Sequence, residues 1–336
     1  MKYYLKDIAK IKNGKKAILE DVGVKVYGSN GVIGFSKDSN APRNSIIIGR
    51  VGANTGSVFF SDEEHWVTDN AISVVPNNKI NPIYLFYLLK QKKLNRLAEG
   101  SAQPLVNQKI LNSFLIDIPS LEIQNKLADK LYKIDKKLEL NNKINTNLLQ
   151  LSQIMFKNKF PNVNDGPDKI GAYIRNYDKD RKPLSKNQRS KMPGKYRYIG
   201  ATSVNDYIAK YNFDGIYLLL GEDGTVQDIN GYPVLQYIHG KFWPNNHAHV
   251  LQGNKVSTEW LYLFFLQRNI EGIITGAVQK KISQKNLNSL SVTMPNNEEL
   301  SKFDNIIQPI FEQIRTLEEE NERLLKIKQE LLTNLF

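Results

Sequence analysis

The chain repeats itself, and that repeat limits its fold more than any other feature. Gly100, Gln103, Gln108, Lys109, Leu111, Asn112, Ser113 and Pro119 recur 176 positions later as Gly276, Gln279, Gln284, Lys285, Leu287, Asn288, Ser289 and Pro295. The echo continues in phase through Ile134/Ile310, Asn145/Asn321, Leu148/Leu324, Leu149/Leu325 and Phe160/Phe336. Nearer the start the offset is 172, so Gly28 and Gly49 fall on Gly200 and Gly221. The change of offset reads as an ordinary loop insertion. A chain rich in Asn, Lys, Ile and Leu gives scattered chance matches, and a dense run with further matches in phase argues against chance. Two long copies imply two similar modules, not a solenoid.

Each copy has two parts. The first is strand-like, with β-branched and aromatic runs punctuated by glycine: Ser45 to Ile48, Gly56 to Phe60, Ala71 to Val75 and, in the second copy, Gly215 to Leu220. A short apolar helix follows, Tyr84 to Leu89 and its echo Trp260 to Leu266. The second part is a long helix after Pro119 and again after Pro295. An apolar seam runs through Leu127, Leu131, Ile134, Leu138, Asn141, Asn145, Leu148, Ser152 and Met155. Its echo is Phe303, Ile307, Ile310, Ile314, Leu317, Asn321, Leu324, Lys328 and Leu331. Alternating steps of four and three are the coiled-coil period. Pro309 is expected to bend or break the second helix near its start. Asn145 and Asn321 sit on the seam, where an amide fixes register and partner number at some expense of stability.

Charge adds to this. The chain carries a formal net charge of +12 over 336 residues. Residues 1–121 and 160–297 each contribute +6, whereas 122–159 carry +4 and 298–336 carry −4. Helices of equal period and opposite charge are expected to pair with each other, antiparallel. The alternative is that each packs on its own domain as an ordinary amphipathic helix. The expected architecture is α+β: two mixed α/β modules, 1–121 and 160–297, separated by two long antiparallel coiled-coil helices, 122–159 and 298–336, with a pseudo-twofold internal repeat. The absence of cysteine excludes a disulfide framework, a thiolate zinc site and a cysteine nucleophile, and fits a reducing, cytoplasmic setting. No apolar run is long enough for a membrane span, so no membrane partner is expected. The excess positive charge of the modules raises nucleic acid as a partner.

The residues resemble those of the DNA-specificity subunits of type I restriction–modification enzymes over essentially the full length. The first copy carries Tyr27-Gly28-Ser29-Asn30-Gly31-Val32-Ile33-Gly34 and then Gly49-Arg50-Val51-Gly52. The second carries Pro183-Leu184-Ser185, Tyr198-Ile199-Gly200-Ala201, Phe213-Asp214-Gly215, Leu220-Gly221-Glu222-Asp223-Gly224 and Phe242 to His249. A Gln-Lys pair, a proline and a long helix end each copy. Copy one departs from the pattern in lacking a Pro-Leu-Ser stretch before Tyr27. The resemblance implies two target-recognition domains, each reading half of a bipartite double-stranded DNA site. It implies helices that set the spacer and dock two methyltransferase subunits, which methylate adenine N6. A restriction/translocase subunit driven by ATP would join them for host defence. S-adenosylmethionine, ATP and Mg²⁺ would be bound by those partners, with no cofactor in this chain.

Candidate DNA-contacting residues are basic or amide side chains in loops. They are Lys12, Lys15, Lys16, Arg43, Arg50 and Asn54 in copy one, and Lys182, Lys186, Arg189, Lys191, Lys195 and Arg197 in copy two. Lys and Arg neutralise phosphates, Arg pairs with guanine, and Asn with adenine. The stretch from Lys186 to Arg197 has five basic residues and no acid, with Tyr196 and Tyr198 close by; its alternative reading is a solvated surface loop. Arg50 falls on Glu222 at the repeat offset, so the copies differ where they would touch DNA.

Two motifs mimic catalysis. Asn81-Pro82-Ile83-Tyr84 resembles the Asn-Pro-Pro-Tyr loop of adenine methyltransferases, but no glycine-rich cofactor loop accompanies it. An N-cap followed by a first-turn proline explains it better. Pro167-Asp168 with Asp180-Arg181-Lys182 matches a metal-nuclease pattern formally, yet the second element lies among polar residues and reads as a solvated charge run. His247 and His249 have the spacing of alternate strand residues; with no acidic cluster nearby in sequence, no metal site is expected and a solvated or base-contacting role is. The sequence thus points to a non-catalytic specificity subunit. The alternatives are a single-chain restriction or methylation enzyme and a coiled-coil structural adapter.

Overall fold

The computed structural model describes residues 1–97, 105–276 and 278–335. Gly100, Gln103 and Phe336 of the repeat lie outside these. The chain divides into two units: unit 1 comprises Met1–Leu140 with Asn321–Phe336, and unit 2 comprises Asn141–Glu320. No helix among the described residues is long and apolar enough to cross a membrane.

Unit 1 begins with β1 (Lys2–Tyr4), α1 (Leu5–Ile8) and β2 (Ala9–Asn13). Strands β3 (Val24–Gly28), β4 (Gly31–Ser36), β5 (Ser45–Gly49), β6 (Val58–Ser61), β7 (Trp66–Val67) and β8 (Ala71–Pro76) follow. Then come α2 (Pro82–Gln91), α3 (Gln108–Asn112), β9 (Leu115–Asp117) and the first half of α4 (Leu121–Lys159). One sheet has the order β2-β8-β5-β6 and a second β4-β3-β7, while β1 pairs with β9. Strand alternation sorts the faces. Ile46, Ile48, Ile72 and Val74 meet Tyr84, Leu85 and Leu88 of α2 in the main core, whereas Ile47 and Ala71 meet Tyr27 and Val67 on the other side. Helix α2 starts at Asn81, whose Oδ1 accepts the N–H groups of Ile83 and Tyr84 at 2.9 and 3.0 Å. Pro82 occupies the first helical position, where a missing N–H is harmless. The Asn-Pro motif is therefore a cap.

Unit 2 repeats this plan. It contains β10 (Asp168–Lys169), β11 (Ile174–Asn176), α5 (Lys186–Ser190), β12 (Pro193–Ile199), β13 (Val204–Ile208) and β14 (Phe213–Gly221). Then come β15 (Leu235–Pro244), β16 (Ala248–Gly253), α6 (Thr258–Leu266), α7 (Gln284–Asn288), β17 (Ser291–Val292) and the first part of α8 (Asn297–Leu335). The main sheet has the order β11-β16-β14-β15-β12-β13. β3, β4 and β5 match β12, β13 and β14; β8, α2 and α3 match β16, α6 and α7. The long β15 replaces both β6 and β7. Its first part runs antiparallel to β14 and its last part parallel to β12, as β3 runs parallel to β7. One unbroken strand thus fuses two sheets into one. Ser257 caps α6 by accepting from the Trp260 N–H at 3.0 Å, as Asn81 caps α2. Trp260 is fully buried and packs against Phe156 and Phe160 of the α4 end and, through them, Phe303 of α8.

Both long helices have 39 residues. In unit 2, Asn141 donates to Glu320 at 2.7 Å and Asn145 to the Ile314 carbonyl at 3.3 Å, while Phe156 meets Phe303. Rising numbers on α4 meet falling numbers on α8, so the pairing there is antiparallel. In unit 1, Lys328 of α8 binds Asp135 of α4, and Asp135 also accepts from the Tyr87 hydroxyl at 2.5 Å. Pro309 does not break α8, which runs through it. The ring is exposed, as is Asn305, whose carbonyl loses its helical partner. Ile307 and Phe311 beside it are buried and hold the helix in place.

Candidate nucleic-acid interface

The candidate basic residues fall largely in one topological place. Lys12, Lys15 and Lys16 lie at the end of β2 and in the connection to β3; Lys182 to Lys191 lie in the equivalent connection from β11 to β12, and Lys195 and Arg197 on β12 itself. Unit 2 enlarges this connection with α5, which begins at Ser185 through a capping box with Gln188. That is where copy one lacks the Pro-Leu-Ser stretch. Lys12, Lys15, Lys16, Lys182, Lys186, Lys191 and Lys195 are all exposed.

Two arginines in the same stretch are already committed. The Arg189 guanidinium donates to the Leu184 carbonyl at 2.7 Å and to Asp206 at 3.2 Å, and lies 4.6 Å from the centre of the Tyr198 ring. Arg197 donates to the His239 carbonyl at 2.6 Å. Both fix the β12–β13 hairpin to its surroundings, so the solvated-loop description fits the lysines and not these arginines. Tyr196 carries the Lys195 ammonium 5.3 Å from its ring centre and packs on Tyr211, which carries Lys241 in the same way at 4.7 Å. The Tyr211 hydroxyl holds the Lys241 pKa above its usual value. Tyr211 and Lys241 are not legible as candidates in the sequence, because they come from a loop and a strand that only the sheet order brings beside β12. The exposed Tyr211 and half-buried Tyr196, interleaved with ammonium groups, suit stacking and phosphate neutralisation.

In unit 1, Arg43 is exposed before β5, and Arg50 and Asn54 lie in the loop after it. That loop is pinned at its base. The Gly49 N–H donates to Ser57 and the Gly56 N–H to Gly49, both at 2.8 Å. Gly56 adopts φ +81°, and a Cβ there would collide with the Asn95 backbone nitrogen, so only glycine fits. Asn54 is left exposed at the tip. The Arg50 Nε is buried without a hydrogen-bond partner among the described residues. Of the seam amides, Asn145 donates across the helix pair to Ile314 and Asn321 is buried on α8.

His249 is not solvated. Its ring is 1% exposed, with Nδ1 2.6 Å from Asp178 and Nε2 2.9 Å from the Ile282 carbonyl. Glu222 lies 3.8 Å from the same ring. The expectation that no acids lie nearby is corrected: the sheet brings them from positions far off in the chain. Asp178, Glu222 and His249 could together ligate a cation. However, Arg181 already sits there, 2.7 Å from Glu222 and 2.7 Å from the Ala248 carbonyl, and Lys281 is 3.6 Å from Glu222. The guanidinium supplies the positive charge a metal would, so the cluster is a self-neutralised ion network. Arg181 is largely covered within it, not part of a solvated charge run. His247, half exposed, bonds Asp223 at 2.5 Å.

Comparison with known proteins gives one consistent result. The family model described as "Type I restriction modification DNA specificity domain" matches residues 1–150 and again 174–329. A putative type I restriction enzyme specificity subunit of Haemophilus influenzae is 31% identical over 116 residues, 34% of this chain and 29% of that protein. The EcoprrI specificity subunit of Escherichia coli is 32% identical over 109 residues, 32% of this chain and 27% of that protein. These matches therefore span under a third of either relative's own length. The MjaIX specificity subunit of Methanocaldococcus jannaschii is 21% identical across 78% of this chain and 70% of its own. The crystal structure of a type I restriction–modification S subunit from M. genitalium superposes with a TM-score of 0.71 at 16% identity, covering 100% of this chain and 96% of that one, which establishes the shared fold.

Proposed function

The chain belongs to the type I restriction modification DNA specificity family, and on that premise we propose that it is the sequence-specific DNA-binding subunit of a restriction–modification complex. The observation that carries this is the coincidence of the two matched stretches with the two copies of the repeat. Each unit would read one half of a bipartite duplex site, through exposed lysines in the β2–β3 and β11–β12 connections and the loop bearing Asn54. Different structures at equivalent places, such as α5 in the β11–β12 connection where the β2–β3 connection has no helix, fit two different half-sites. The paired helices would set the spacing and dock two adenine-N6 methyltransferase subunits, and through them a nuclease subunit. In this reading the chain positions partners and performs no chemistry. S-adenosylmethionine, ATP and Mg²⁺ belong to those partners.

The test is methylation mapping of DNA from cells that express this chain with a type I methyltransferase subunit. A single bipartite motif, lost when the chain is omitted, is the expected result. Methylation or cleavage by the purified chain alone would favour the single-chain enzyme. Absence of DNA binding with and without the methyltransferase would favour the structural adapter.

A further inference from the structure

The two copies differ most sharply beneath the β2–β3 connection. In unit 1, Lys12 pairs with Ser73 and Lys10 with Val75 in the β2–β8 ladder. Gly49 pairs with Ala71 as Gly221 pairs with Ala248, so Ser73 corresponds to Val250. The Tyr177 N–H donates to the Val250 carbonyl, and Tyr177 and Val250 pack in one apolar cluster with Phe213. Unit 2 therefore fills the position with apolar side chains. Unit 1 offers lysine and a hydroxyl.

Lys10, Lys12, Ser73 and Val75 share the sheet face that points away from Ile72 and Val74. That face floors a cavity of about 370 Å³ whose wall includes Lys15 and Asn40. Among the described residues, no acid lines it. Ser73 is 6% exposed, and its hydroxyl has no hydrogen-bond partner among the described residues. The Asn40 amide is already used on the Val67 backbone at 2.9 and 2.7 Å. Three lysines and one unused buried donor thus line a single cavity, where the sister unit places Tyr177 and Val250.

We propose that this cavity is an anion site that seats one backbone phosphate of bound nucleic acid. Lys10, Lys12 and Lys15 neutralise it, and the Ser73 Oγ–H donates to one of its oxygens. The proposal rests on the DNA-binding reading and adds a registering contact to it, at a place where unit 2 has Tyr177 and Val250 instead.

The test uses the full chain as wild type, Ser73→Ala and the double variant Lys10→Gln/Lys12→Gln. Each is titrated with a long mixed-sequence duplex across a salt series, and separately its thermal midpoint is followed in inorganic phosphate. The double variant is expected to lower the slope of log K against log salt by about 0.9, for the one phosphate it no longer neutralises. Ser73→Ala is expected to weaken duplex binding by about tenfold with the slope unchanged, since it removes a hydrogen bond to a charged group and no charge. Phosphate should raise the midpoint of wild type more than that of either variant. Equal affinities, slopes and phosphate responses in all three chains, with the duplex still bound, overturn the site and leave the DNA-binding function standing. A phosphate response confined to wild type, with no duplex binding, overturns the nucleic-acid source and the proposed function with it.

Discussion

In unit 2 the carboxylate of Asp178 and the Nδ1 of His249 lie 2.6 Å apart. Burial works against the charge on each. The hydrogen bond and attraction between them outweigh burial, helped by the Ile282 carbonyl on one side and the Val250 N–H on the other. His249 is therefore raised above its ordinary value and Asp178 lowered. The histidine contribution to stability is full below its unfolded pKa of about 6.5 and is lost as pH rises through the higher folded value. The aspartate contribution is present above about 3.9 and is lost as pH falls through the lower folded value. Wild type is expected to lose its stability advantage over His249→Gln as pH rises above neutrality. Parallel thermal midpoints against pH in the two proteins would remove the ion pair as a stabilising element.

Arg315 pairs with the Glu259 carboxylate, which is buried in α6 beside the Tyr237 hydroxyl at 2.6 Å. Gln308 donates to its other oxygen at 2.9 Å. Removing the guanidinium leaves a buried charge uncompensated, so Arg315→Ala is expected to destabilise by about 3 kcal/mol. Urea unfolding measures this. A loss under a few tenths of that figure would mean that Gln308 and Tyr237 suffice.

The basic stretch of unit 2 divides into two classes. Changing Lys186, Lys191 and Lys195 to glutamine is expected to lower the salt slope of DNA binding by about 0.9 for each phosphate no longer neutralised. Arg189→Ala and Arg197→Ala are instead expected to lower the unfolding midpoint, since they release the β12–β13 hairpin. An unchanged slope in the lysine variant would exclude that surface from the interface.

Asn145→Leu is expected to strengthen the helix pair but loosen its register. Because the chain has no cysteine, disulfide trapping between single cysteines introduced on α4 and α8 reports register directly. More than one trapped pairing is expected in the variant and one in the parent. A single pairing in both would show that Asn141 and its bond to Glu320 hold the register alone.

Pro309→Ala is expected to stabilise α8, by up to about 3 kcal/mol, because it returns an N–H to the ladder at an exposed position. Calorimetry decides it. A lowered midpoint would show that the surrounding helix has adapted to the ring.

What could be read in the sequence is what local period writes there. Leu131, Ile307 and Leu317 repeat at coiled-coil spacing, and all three are buried. Asn81 and Pro82 announce a helix start through chemistry confined to three adjacent residues. Arg197, Arg181 and His249 could not be read this way. Their partners His239, Glu222 and Asp178 lie 42, 41 and 71 positions away. They meet because β12 runs beside the end of β15 and β16 beside β11 and β14, an order that residue periodicity does not encode. Charged residues far apart in sequence therefore look solvated until the sheet joins them.

Unit 1 takes in residues 321–336 although the rest of it ends at Leu140. During synthesis, all of unit 2 is made before residues 321–336 are. The earlier unit is thus completed after the later one. Until then Asp135 has Tyr87 but not Lys328 beside it. A stop codon shortly after position 320 would therefore injure the earlier-made unit and spare the one made after it.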